Sequence, residues 1–110
     1  MKFTINDVEW EIKFVDTETI SKITNETLGT DFNFAYGLTL NPKSTIIINK
    51  DMNKEQQLHA LKHELTHCYI WEFGLYHVDS FSEEMVCDLV ASINNFINKV
   101  IENVEEKEYE

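Results

Sequence analysis

Leu58-His59-Ala60-Leu61-Lys62-His63-Glu64-Leu65-Thr66-His67-Cys68 reads as the middle of a helix, and its two faces decide how the rest of the chain has to be arranged. At ~100° per residue, Leu58, Leu61, Leu65 and Cys68 form one apolar stripe that calls for a core, while His63 and His67 fall on a neighbouring stripe with Ala60 and Ile70. That neighbouring face is expected to be partly buried. The two histidines stand about 40° apart around the axis, so both imidazoles project from one side and can share one metal ion. Glu64 lies at the edge of the same face, where it can reach a water on such a metal without being forced to ligate it. The pattern is that of a general base beside a Lewis acid. His59 extends the ladder by another four residues, but it lies about 12 Å from His67 along the axis, so one ion cannot take all three.

Working outward, Asn53 is a good N-cap, Gln56 can close a capping box with it, and Gly74 suits the position after the last turn. The helix is therefore predicted over residues 54–73. Upstream of it lie two pairs of strands. Phe3 and Ile5, then Val8, Trp10, Ile12 and Phe14, alternate with polar residues, and Asn6-Asp7 between them can take the positive φ angles of a tight turn. Residues 36–40 and 45–49 flank the turn tetrad Asn41-Pro42-Lys43-Ser44 and predict a second hairpin. The unbroken run Ile46-Ile47-Ile48 suits a strand covered on both faces, inside the sheet, with residues 36–40 nearer an edge. An exposed edge beside the histidine helix could hold a peptide in extended form; equally, the connection over residues 31–35, with Phe32 and Phe34, could cover it or form part of a substrate rim. Between the hairpins, Asp16 or Thr17 can cap a short helix through Leu28, with Ile20, Ile23 and Leu28 inward and Gly29 ending it.

A histidine pair needs a further ligand, and residues 79–84 supply the candidates. Ser80 with Glu83 three residues on makes a capping box for a second long helix, running to about Val100 or beyond. With Glu83 in the cap, Glu84 and Asp88 stand at i and i+4 on one face. Glu84 can then reach the metal, and Asp88 can accept a hydrogen bond from a ligating histidine. Met85, Leu89, Ile93, Phe96 and Val100, joined by Val86, Val90 and Ile97, predict a widely buried helix. Glu and Asp four apart are also common on a solvated face of an acidic protein; what favours ligation here is their conjunction with His63 and His67 across a short loop.

The chain has 110 residues, 43% hydrophobic and 12% aromatic, enough for one modest core. A single α+β domain over residues 1–103 is expected, a short antiparallel or mixed sheet of hairpins packed on two long helices, with residues 104–110 as a frayed acidic tail. Twenty acidic residues against nine basic ones give a net charge of −11, which repels phosphate backbones and anionic lipid headgroups. Nucleic acid and membrane surfaces are thus poor partners. Residues 1–12 carry charges throughout and no apolar run of signal or spanning length appears, so a cytoplasmic location is expected. Cys68 and Cys87 lack CxxC spacing and read as free, small apolar residues.

His63-Glu64-Leu65-Thr66-His67 followed by Glu84-Met85-Val86-Cys87-Asp88 resembles the gluzincin pattern of thermolysin-type zinc metallopeptidases. The small size, the run Gly37-Leu38-Thr39 before an isoleucine-rich strand, and the stretch from Leu61 to Tyr69 are more similar to the minimal ImmA/IrrE-like metallopeptidases of phages and mobile elements. The resemblance covers about residues 36–91. It implies a small zincin-like fold and one zinc ion held by His63, His67 and Glu84, with Asp88 orienting a histidine. Glu64 would act as general base on a zinc-activated water, and the substrate would be a peptide bond in a protein, a regulatory protein being the candidate that the mobile-element resemblance implies. The His or Tyr that stabilises the oxyanion in larger gluzincins has no assured counterpart here; His77, Tyr76 and Tyr69 are the candidates. Two other classes are set beside the peptidase: an idle zincin fold used as a binding or inhibitory module, and a zinc-free acidic interaction protein.

Overall fold

The computed structural model describes residues 1–75 and 83–108, without the side chains of residues 83, 84, 86–88, 91 and 106–108. The chain opens with strands β1 (Lys2–Ile5) and β2 (Val8–Val15), joined as an antiparallel hairpin. Asn6 and Asp7 both adopt positive φ, 49° and 64°, the requirement of the two-residue turn whose twist matches the strands. Helix α1 (Thr17–Leu28) follows, capped by Asp16, and ends where the Gly29 N–H reaches Asn25 O at 2.9 Å. Hydrogen bonds from the Thr19 side chain and backbone hold the Asp16 carboxyl below the usual carboxylate range. Strands β3 (Gly37–Leu40) and β4 (Thr45–Asn49) form the second hairpin, turned by a 3-10 segment at Asn41–Lys43 and by Ser44 at φ 48°.

The four strands lie in the order β1-β2-β4-β3. The two hairpins are therefore joined by a parallel pairing of β2 with β4, Ile12 opposite Ile46 and Phe14 opposite Ile48. The sheet is mixed, β4 is interior and β3 is an edge strand. Ile46 and Ile48 enter the main core, whereas Ile47 is buried outside that cluster together with Ile20 of α1 and Leu38 of β3. Helix α1 thus covers one face of the sheet. Helices α2 (Lys54–Glu72) and α3 (Glu83–Glu108) cover the other, where Trp10, Ile12, Leu61, Leu65, Cys68, Ile101 and Val104 close the core. No helix among the described residues is long and apolar enough to cross a membrane.

Three expectations need correction. Leu28 is 58% exposed rather than inward, and Ile23 is only half-buried, because α1 turns Ile20, Ser21 and Thr24 to the sheet. Helix α3 is less widely buried than expected: Met85 is 40% and Val90 62% exposed, and among its described side chains the buried ones are Ile93, Val100, Ile101 and Val104, in the half where Phe96 packs against Phe3 and Tyr69. The chain does not fray at 104: α3 continues through Glu108, and Val104 is fully buried. The histidine face of α2 is partly buried as expected, with Ala60 buried and Ile70 half-buried while the side chain of His63 is 65% exposed. The expected helix start at Ser80 and the state of Cys87 lie outside the described residues.

Candidate metal centre and cleft

Helix α2 carries the site, and its start is set locally. Asn53 Oδ1 accepts from the Gln56 N–H at 2.8 Å, and Gln56 Oε1 accepts from the Asn53 N–H at 3.2 Å, the reciprocal capping box read from the sequence. Leu61, Leu65 and Cys68 are fully buried and fix the helix's rotation against the sheet. Burial pushes the Cys68 thiol up to about 12, with the charge of Glu72 adding to the effect. With that face committed to the core, His63 and His67 point outward from the next stripe.

Their Nε2 atoms lie 3.2 Å apart, and their rings meet edge to face at 72°. Two imidazole nitrogens bound to one tetrahedral zinc at ~2.0–2.1 Å stand about 3.3 to 3.4 Å apart. The pair therefore already has the spacing of two corners of a zinc tetrahedron, and the donor set is the one zinc takes from histidine. Glu64 does not share their exposure. It is turned under strand β3 and is only 8% exposed. Thr39 Oγ1 donates to Glu64 Oε1 at 2.9 Å and also lies 3.2 Å from the Glu64 carbonyl oxygen, while Oε2 faces His63 Nε2 at 4.0 Å.

Room for Glu64 comes from Gly37. A Cβ there would lie 3.0 Å from Glu64 Cγ, 3.3 Å from Glu64 Oε2 and 3.2 Å from Ile48 Cδ1, closer than side chains normally approach. Beside Glu64 opens a cavity of about 680 Å³, bounded by α1, residues 32–38 and α2. Leu28, Phe32, Phe34, Tyr36 and Ala60 give it an apolar lining, and His59, His63 and Glu64 form its polar side. The rim over residues 31–36 is tied down from two places. Asn25 Oδ1 accepts from the Phe32 N–H and Asn25 Nδ2 donates to Phe32 O, both at 2.8 Å, and the fully buried Asn49 donates from Nδ2 to Ala35 O at 3.0 Å.

The structure thus brings together His63, His67 and Glu64. Glu84 and Asp88 stand in the first turns of α3, whose backbone is described, but their side chains lie outside the described residues, as do His77 and Tyr76 entirely. Among the described residues no group of three or more His, Cys, Asp or Glu is arranged to hold a metal ion. Tyr69 turns away from the cavity and packs its ring against Phe73 and Phe96 at 4.5 and 5.9 Å. Thr39, Gly37, Asn25 and His59 line or brace the site without having been assigned there. For Gly37 and Thr39 a usable signal existed: two small residues at i and i+2 on an edge strand, where one face must meet the helix. No protein-family model, curated protein or solved structure matches the chain.

Proposed function

We propose that the chain is a zinc-dependent peptidase that hydrolyses a peptide bond in a protein substrate, with one zinc held by His63, His67 and Glu84 and with Glu64 as general base. The observation that carries this reading is the 3.2 Å separation of the two Nε2 atoms, with a buried carboxylate beside them. A closed structural zinc site has no use for such a carboxylate, whereas a catalytic one needs it. When bound, zinc supplies Lewis acidity, polarising a carbonyl and bringing the pKa of a water toward ~7. Glu64 does the proton work. Its carboxylate takes a proton from the attacking water as the C–O bond forms, then delivers it to the amine nitrogen as the C–N bond breaks, leaving a carboxylic acid and a free amine. Asp88, one turn after Glu84, is assigned to accept a hydrogen bond from a ligating imidazole.

The surroundings support a peptide as substrate. Strand β3 is an edge strand beside α2, so an extended segment can add to it through backbone hydrogen bonds. A side chain of that segment would then enter the apolar cavity next to Glu64. The test pairs metal analysis with proteolysis of candidate protein substrates. Wild type is expected to bind one zinc per chain and cleave; Glu64→Gln is expected to keep the zinc and the fold but lose cleavage by about 10²- to 10⁴-fold. Undiminished cleavage by zinc-replete Glu64→Gln would remove Glu64 as the base. Zinc binding by wild type without any cleavage would favour the idle binding module.

A further inference from the structure

Gly37 and Thr39 are two residues apart on β3, so they present to the same side of the strand, and both meet Glu64. A hydroxyl has one proton to give. The 2.9 Å distance from Thr39 Oγ1 to Glu64 Oε1 makes the carboxylate its main acceptor, ahead of the Glu64 carbonyl at 3.2 Å. Among the described residues, only one carboxylate oxygen is engaged in this way. The other, Oε2, faces His63 Nε2 at 4.0 Å. Thr39 is suited to the task, because its β-branched side chain is stiff at χ1 and its backbone is held by pairing opposite Ile46. Gly37 sets the depth at which the carboxylate sits, since any Cβ there would press on Glu64 Cγ and Oε2.

We infer that Thr39 and Gly37 are positioning residues for Glu64, which sort its two oxygens into an anchored Oε1 and a reactive Oε2. The inference rests on the general-base reading of Glu64 and goes beyond it by assigning the atom that accepts the proton and the residues that select it. Neither Thr39 nor Gly37 touches the reacting atoms. The terminal torsion of a glutamate is broad and nearly two-fold, so a carboxylate without an anchor exchanges its oxygens freely. With Thr39 in place, the hydrogen bond to Oε1 removes that freedom and leaves Oε2 on the side of His63.

The test uses the zinc-loaded full chain as wild type, Thr39→Ser, Thr39→Val and Gly37→Ala. Valine keeps the shape of threonine and removes the hydroxyl; serine keeps the hydroxyl. Two quantities are read: the order of the Glu64 side chain, by crystallography or ¹³C relaxation, and kcat and KM on fluorescein-labelled casein. Thr39→Val is expected to retain zinc and melt near wild type. Its Glu64 carboxylate becomes rotationally averaged, and kcat falls by about 10- to 100-fold with KM nearly unchanged, the scale expected for a misplaced reacting group. Thr39→Ser restores both. Gly37→Ala displaces Glu64 and lowers kcat without disturbing the histidine pair. Glu64 equally well ordered in Thr39→Val and wild type would overturn the inference, as would a serine variant no better than the valine one. Failure of wild type to cleave casein while Glu64 order follows the Thr39 hydroxyl would count against the peptidase reading and leave the anchoring established.

Discussion

Cys68 follows His67 directly, yet the two side chains meet opposite environments. His67 is exposed, whereas Cys68 is fully buried and its thiol is pushed up to about 12, first by desolvation and then by Glu72. The thiolate is the reactive form, so the thiol stays protonated and inert across the neutral range. Iodoacetamide at pH 8 is therefore expected to leave Cys68 unmodified in the folded chain and to alkylate it after unfolding, as peptide mass mapping would show. Rapid labelling of the native protein would contradict the described packing. At this scale the sequence was legible wherever spacing alone settles geometry: His63 and His67 share a helix face because they are four apart. The seat of Glu64 was not legible, because its anchor, Thr39, is 25 residues away and the space it occupies is made by the missing side chain of Gly37. No local pattern around Glu64 encodes either partner.

Among the elements, α2 begins at a reciprocal capping box, and this is where its stability is most easily tested. Replacing Asn53 with Ala removes the acceptor for the Gln56 N–H and is expected to cost about 1 kcal/mol, read from the midpoint of a urea transition. The histidine pair lies more than two turns inside the helix, so zinc binding should be unchanged when measured under native conditions. A loss well beyond ~2 kcal/mol would mean that the cap does more than terminate the helix. The elements were legible where turn chemistry is local. Asn6-Asp7, Asn41-Pro42 and the Asn53–Gln56 pair each mark a boundary that the fold respects. The burial of α1 was misread, because a helical stripe shows which residues are apolar but not what lies opposite each turn. Leu28 sits at the mouth of the cavity rather than over the sheet.

For the whole molecule, the central fact is that β4 is inserted between β2 and β3. The isoleucine run announced an interior strand, but the parallel partner is 30 residues or more distant in sequence and no periodicity identifies it. The C-terminal limit of the domain was likewise hidden, since the glutamates after Val104 look like a tail while α3 continues beneath them. Val104 is fully buried in the main core. A chain ending at residue 103 is therefore expected to be less stable than one ending at residue 108 by about 2 kcal/mol or more, the scale of burying one such side chain, as urea unfolding would measure. Equal stability would return residues 104–108 to the role of a tail.

Helix α2 is moored at both extremities. Near its start, Gln57 Nε2 donates to Met52 O at 2.7 Å and to Lys50 O at 3.2 Å; at its finish, Trp10 Nε1 donates to Glu72 Oε1 and Asn6 Nδ2 to Glu72 O, each at 3.0 Å. A beam pinned at two supports neither slides along its length nor rolls about it. A guest in the cleft must accordingly conform to coordinates dictated by the beam on one side and to the aromatic rings of the wall it faces on the other.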